Sequence, residues 1–135
     1  MIVHSIDIRI RYSETDQMQY VYYGNYAQYF EMGRAEWLRQ LGISYKDIED
    51  SGVMLPVIDL QIKYHKPATY DEVITLTSKV TKKPSVKIEF EHTIHNQKKE
   101  LLTTGKSVLV FMDMKKNKPT RPPAQILEIT ASYFN

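Results

Sequence analysis

Ile6, Ile8, Ile10 and Tyr12 recur at every second position, with Asp7, Arg9 and Arg11 between them, which predicts a strand with one face buried. From Asn25 the spacing changes. Tyr26, Tyr29, Phe30, Gly33, Trp37, Leu38 and Leu41 fall on one side of a helix, while Gln28, Glu36, Arg39 and Gln40 fall largely on the other. Gly42 supplies a helix stop. Residues 43–51 hold one more helical turn or two, with the Ser44 hydroxyl able to accept from an otherwise unpaired amide. Strand-like stretches follow at 57–65, 72–80, 86–95 and 101–112. Their alternation is clearest at Ile58, Leu60, Ile62, Tyr64 and at Val86, Ile88, Phe90, His92, Ile94. The polar segments Lys82-Lys83-Pro84-Ser85 and Asn96-Gln97-Lys98-Lys99 sit where hairpins must reverse, so the four stretches are predicted to pair antiparallel as a meander. Residues 117–123 carry three prolines, which cannot donate to a ladder and are expected to end the sheet, leaving 124–133 as a terminal helix or tail.

An antiparallel sheet with a single one-sided helix must lay that helix across its apolar face, which gives an α+β architecture. The aromatic side of the helix is broader than one sheet face needs, and this predicts a second subunit covering part of it. A chain of 135 residues, 42% of them hydrophobic, makes one domain over 1–135. The net charge is only +2 and the lysines are scattered, so nucleic acid is not indicated. Cysteine is absent, which removes disulfides, thiolate nucleophiles and Cys-based zinc sites, and suits a reducing compartment; the cytoplasm is the expected location. The opening MIVHSIDIRIRYSE alternates instead of running apolar, so neither a signal peptide nor a membrane span is expected. His92 and His95 are the only histidines close in sequence, and on a strand their spacing sends them to opposite faces, so no metal is expected.

The segment from Tyr12 to Gly42 holds the candidate chemistry. Tyr12, Glu14, Thr15 and Asp16, then Val21, Tyr22, Tyr23, Asn25 and Tyr26, then Phe30, Glu31 and Arg34 resemble the pattern of the hot dog fold thioesterases, in particular the 4-hydroxybenzoyl-CoA thioesterase family and its Tol-Pal-associated acyl-CoA thioesterase relatives. The later strands follow that family's order, so the resemblance covers nearly the whole chain. It implies an antiparallel five-stranded sheet wrapped around a long central helix. It also implies an acyl-CoA substrate, no cofactor, and a homo-oligomer, either a dimer or a dimer of dimers that would make a homotetramer. The resemblance places the catalytic carboxylate at Asp16 and the carbonyl-polarising backbone N–H at Tyr23. The tyrosines, among them Tyr22 and Tyr26, would form an acyl pocket together with Asn25. Lys82, Lys83 and Ser85 would meet the CoA phosphates. Many relatives carry glycine where this chain has Gln19 and histidine where it has Tyr23; a role for the Tyr23 peptide survives the second exchange.

Physical chemistry is compatible with that division of roles. A helix start offers unpaired N–H groups and partial positive charge to a developing oxyanion, and such a donor is worth about 3 kcal/mol where one has been removed. Gly24 would let the backbone approach a ligand. Aspartate is a carboxylate at neutral pH, able to attack a thioester carbon or to activate water. The sequence leaves those two roles open.

Plainer readings stand beside these. A Thr-Asp pair ahead of a loop often caps a turn, and buried tyrosines often supply packing area alone. Glu31 and Arg34 have the spacing of an ordinary helical ion pair. Lys82 and Lys83 could be a solvated hairpin end. A hot dog protein that binds acyl-CoA or an acyl carrier without cleaving it is the alternative function. A hydratase is disfavoured, because residues 12–42 contain no histidine to work with an acid.

Overall fold

Alternating apolar residues can be buried only if the strands that carry them share one face, and they do. The computed structural model describes residues 1–134. Strand β1 (Ile2–Arg9) leads through a 3-10 turn (Tyr12–Glu14) to helix α1 (Asn25–Gln40) and the short helix α2 (Tyr45–Asp50). Then come β2 (Val53–Met54), β3 (Val57–Tyr64), β4 (Val73–Val80), β5 (Lys87–His95), β6 (Leu101–Val110), β7 (Met112–Asp113) and β8 (Lys118–Pro119), ending in α3 (Ala124–Thr130). Five long strands form an antiparallel sheet in the order β1-β4-β5-β6-β3, and α1 lies across one face of it. This is the α+β hot dog arrangement expected from the sequence.

Ser44 caps α2 as its position suggested: its hydroxyl accepts from the Asp47 amide at 3.1 Å, and the Asp47 carboxylate accepts from the Ser44 amide at 3.0 Å. Three other expectations are corrected. Only β4, β5 and β6 form a meander; β3 pairs with β6 at the far edge, so the chain crosses the whole sheet between β3 and β4. The prolines do not end all pairing, since Pro119 stands opposite Met112 in a small sheet ordered β2-β7-β8. It is tolerated there because β8 is an edge strand, where a missing donor costs no ladder bond. The aromatic side of α1 leaves nothing over for a partner, because Tyr26, Tyr29, Phe30, Trp37 and Leu38 are all buried against this chain's own sheet. Exposed apolar surface lies instead on β3, at Ile58 and Leu60, and on the loop ahead of α1.

The core has two apolar clusters. One gathers Trp37, Leu38, Val80, Phe90 and Phe111, the other Tyr26, Phe30, Leu76 and Ile94. Between the two sets lie buried polar residues on four of the contributing elements: Arg34 on α1, Ser78 on β4, His92 on β5 and Ser107 on β6. The His92 ring hydrogen-bonds Ser78 Oγ at 3.0 Å and Ser107 Oγ at 2.9 Å, and Arg34 donates to Ser107 at 3.3 Å. Arg34 therefore turns into the core and makes no ion pair with Glu31; the helical pair that forms is Glu36 with Arg39. Phe30 stacks on His92 with ring centroids 4.3 Å apart, in space left free by Gly105, where any side chain would strike the Phe30 ring.

Candidate active site

Past β1 the chain is pinned to the start of β4 by mutual bonds between Ile10 and residues 71–72, at 2.9 and 3.0 Å. The Glu14 carboxylate accepts from the Arg11 amide at 2.7 Å and closes the 3-10 turn. Residues 15–21 then fold back on themselves, with Thr15 bridging Val21 and Tyr20 bridging Thr69. Asp16 organises this loop. Its amide donates to the Tyr20 carbonyl at 2.8 Å, and its Oδ1 accepts from the amides of Met18 at 2.9 Å and Tyr20 at 3.3 Å. Asp16 Oδ2 has no hydrogen-bond partner among the described residues. The turn-capping reading and the chemical reading thus fall on different oxygens of one carboxylate. The return of the loop requires a left-handed residue, and Gln19 fills it at φ 69°; this is a conformation glycine adopts without strain.

The loop delivers the chain to α1. The Tyr22 amide donates to the Glu14 carbonyl at 2.9 Å, and the Asn25 side chain donates to the same carbonyl at 2.8 Å. No side chain caps α1 at Gly24, and the amides of Tyr23 and Gly24 have no acceptor among the described residues. Two unpaired N–H groups therefore sit at the positive end of a 16-residue helix.

A pocket of about 370 Å³ opens between the loop and the end of β3, lined by Asp16, Tyr20, Tyr23, Tyr26, Tyr64 and His65 among others. Asp16 is its only acidic residue. Burial raises the Tyr26 phenol above its usual range, and burial with the neighbouring Tyr23 raises Tyr64. At neutral pH these hydroxyls are hydrogen-bond donors and not bases. A second groove of about 570 Å³ on the other side of Asp16 is lined by Tyr12, Gln17, Tyr22 and Asn25.

Of the residues singled out from the sequence, Asp16, Tyr23 and Tyr26 meet in the first pocket. Tyr22 and Asn25 face the second groove, and Asn25 is a latch between α1 and the turn at Glu14. Gly24 makes room for a neighbour within the chain: a Cβ there would lie 2.7 Å from the Tyr22 ring. Lys82, Lys83 and Ser85 are not brought to Asp16. They follow the end of β4, whereas Asp16 lies beyond its beginning, and the intervening strand of 8 residues spans roughly 25 Å. Lys83 and Ser85 line a separate groove with Arg121. Sequence reasoning missed Tyr64 and His65, which read as one more core position and its neighbour; only the meeting of the end of β3 with the start of α1, where Tyr64 touches the Tyr23 carbonyl and the Tyr26 ring, carries them to the pocket. His65 hydrogen-bonds Thr104 at 3.1 Å, so the site does hold a histidine although residues 12–42 do not.

Comparison with known proteins identifies the family. The Thioesterase-like superfamily profile matches residues 10–129. YneP of Bacillus subtilis, a candidate acyl-CoA thioesterase, is 35% identical over 119 residues, covering 88% of this chain and 86% of that protein. The acyl-CoA thioester hydrolase YbgC of Escherichia coli O157:H7 is 27% identical over 120 residues, 89% of this chain and 90% of its own. Among solved structures, the DHNA-CoA thioesterase of Staphylococcus aureus superposes with a TM-score of 0.92 at 34% identity, covering 98% of this chain and 91% of that one. The chain therefore belongs to the Thioesterase-like superfamily, with the hot dog acyl-CoA thioesterases.

Proposed function

We propose that this acyl-CoA thioesterase works through Asp16. The observation that carries the reading is the split within its carboxylate: Oδ1 holds the loop, while Oδ2 is unpartnered on a residue that lines a pocket beside two unpaired amides. Oδ2 attacks the thioester carbon or takes a proton from a water that does so, and the oxyanion that forms accepts from the Tyr23 amide. The C–S bond then breaks and CoA leaves as a thiolate, which needs little help from a general acid. In the nucleophilic route water finally cleaves the acyl-aspartyl anhydride; both routes yield the free acid and CoA.

The acyl group that fits best is a flat, hydroxylated aromatic one. Tyr20, Tyr23, Tyr26 and Tyr64 offer ring edges and faces for stacking, with hydroxyls for polar substituents. The similarity to the DHNA-CoA thioesterase supports the same reading, and a substrate of this class would suit a member of the 4-hydroxybenzoyl-CoA branch.

The working unit is a homodimer, or a dimer of such dimers. The free edge of β3 is apolar at Val57, Ile58 and Leu60, and unpaired edges recruit strands. A two-fold axis at Gln61 would set Asp59 against Lys63 of the partner subunit, and a strand with opposite charges two residues either side of its centre is suited to pairing with itself. The same axis reverses the partner's sheet, carrying Lys82, Lys83 and Ser85 of the partner subunit to the end at which this chain holds Asp16. The CoA phosphates would then be met in trans. Absence of cysteine suits a cytoplasmic location.

Free-thiol release is the test, with acetyl-, hexanoyl-, palmitoyl-, benzoyl- and 4-hydroxybenzoyl-CoA given to wild type and Asp16→Asn. Asparagine retains the Oδ1 acceptor that holds the loop, so the expected result is a folded variant with no turnover. Retained turnover would sink the role of Asp16. Saturable binding without thiol release by wild type would favour a binding module. Because His65 lines the pocket, an enoyl-CoA belongs in the panel, and its hydration without thiol release would revive the hydratase.

A further inference from the structure

Tyr64 ends the exposed edge strand, and its ring is held in place from below. It stands edge-on to Tyr26 at 5.3 Å, and Tyr26 stands edge-on to Tyr29 at 5.8 Å. Tyr26 and Tyr29 are both buried in the first turns of α1, so the Tyr64 ring rests on Tyr26, which Tyr29 backs in turn. Held this way, its hydroxyl donates to the Tyr23 carbonyl at 3.1 Å. The other donor to that oxygen, the Tyr26 amide, is 3.4 Å away, which is long for a backbone bond. Tyr64 is the principal partner of the Tyr23 carbonyl.

A peptide unit is planar, and its C=O and N–H point in opposite directions. Fixing the Tyr23 carbonyl on the helix side therefore aims the N–H of the same peptide, that of Gly24, outward from the helix start. A hydrogen bond at the carbonyl also polarises that N–H, because bonds in a chain strengthen one another. The Gly24 amide has no acceptor among the described residues, and Tyr23 and Tyr64 line the same pocket as Asp16.

We propose that Tyr64 is a positioning residue for thioester hydrolysis: through the Tyr23 carbonyl it aims the Gly24 amide at the oxyanion as a second donor beside the Tyr23 amide. The inference rests on the thioesterase reading of this pocket. Tyr64 reaches no reacting atom itself; it acts through one peptide unit. Since Tyr64 belongs to β3, the strand that is proposed to pair with a second copy, dimerisation and the oxyanion donors share a rigid element.

The test is Tyr64→Phe, which keeps the ring against Tyr26 and removes only the hydroxyl. Loss of one hydrogen bond that matters in the transition state lowers kcat by about fivefold to tenfold with KM changed by less than about twofold. A second readout is the carbonyl stretch of benzoyl-CoA bound to Asp16→Asn, measured by Raman difference spectroscopy. Adding Tyr64→Phe is expected to return the band part of the way to its frequency in water. A Tyr64→Phe protein with lowered Tm but wild-type kcat and an unmoved carbonyl band overturns the inference, because it leaves Tyr64 a structural role alone. Absence of thiol release from wild type overturns the thioesterase reading and this inference with it, whereas an active wild type matched in kcat by Tyr64→Phe overturns this inference alone.

Discussion

Acidification should weaken this protein through one buried histidine. His92 lies between the two halves of the core, 1% exposed, with Phe30 and Phe90 stacked at its faces and the Ser78 and Ser107 hydroxyls at its nitrogens. Among the described residues the charged group beside it is the Arg34 guanidinium from α1, which is itself near the Tyr45 phenol. Burial first, and the nearby positive charge second, lower its pKa from 6.5 to about 3. The unfolded chain takes up a proton near pH 6.5 that the native state refuses until about pH 3. Stability from this residue is therefore complete above pH 6.5 and declines as pH falls toward 3. At about 1.4 kcal/mol per pH unit, the loss is about 2 kcal/mol at pH 5 and about 3 kcal/mol at pH 4. Such a loss is a large share of the 5 to 15 kcal/mol, roughly, that holds an ordinary domain together. Urea unfolding at pH 7.5 and pH 5.0, on wild type and His92→Gln, isolates the effect. Glutamine can still donate and accept toward the two serines but cannot titrate, while carboxylates far from His92 such as the half-buried Glu100 and Asp113 contribute equally to both proteins. Wild type should lose about 2 kcal/mol more than His92→Gln between the two pH values. Equal losses would refute the account.

Gln19 holds a left-handed φ of 69°, a strain of about 1 kcal/mol that glycine would relieve while adding some freedom to the unfolded chain. Gln19→Gly should be neutral or up to about 1 kcal/mol stabilising, and Gln19→Val destabilising by about 2 kcal/mol, read by thermal unfolding. Light scattering should report a dimer or larger for wild type, and Leu60→Asp on the β3 edge should lower the assembly state and activity together. Refolding Asp16→Asn with the double variant Lys82→Glu, Lys83→Glu should restore about a quarter of wild-type activity, because half the dimers are mixed and each then has one intact site. If the lysines serve their own chain, the mixture stays inactive. Asp16→Ala should lose stability as well as activity, since it removes the acceptor for the Met18 and Tyr20 amides at a cost of about 1 kcal/mol or more, whereas Asp16→Asn should lose activity alone.

Much of the fold is written in local periodicity, and this chain's periods are clean. A period of two at Ile88, Phe90, His92 and Ile94, and a helical period through Tyr26, Phe30, Gly33 and Trp37, suffice to place α1 and the later long strands within a residue or two, whereas the period at Ile6, Ile8, Ile10 and Tyr12 finds β1 but sets it too late, since the strand runs Ile2–Arg9 and Tyr12 opens the 3-10 turn. Hairpin polarity joined β4, β5 and β6 correctly, because a four-residue polar turn leaves neighbouring strands no other partner. The candidate carboxylate and the helix start after it were legible for the same local reason: Asp16 and Tyr23 are seven residues apart, and one loop sets their relation.

Everything that depends on elements far apart in sequence was decided by the tertiary structure. Strand periodicity specifies which face of β3 is apolar but not which neighbour it joins. Its place at the edge, beyond β6, follows from the crossover that frees β4 to pair with β1. That placement brings Tyr64 and His65 to the pocket and leaves an apolar strand uncovered. Arg34 has the spacing of a surface ion pair with Glu31, yet the close packing of α1 on the sheet makes position 34 interior, so its guanidinium goes to Ser107. Lys82 and Lys83 follow β4 just as Asp16 precedes it, and the straightness of an eight-residue strand keeps them at opposite ends of one chain. Hydrogen bonding and side-chain period act between near neighbours and can be read along the chain; strand order, burial at a crossing and the distance between two ends of a sheet exist only once the chain has closed on itself.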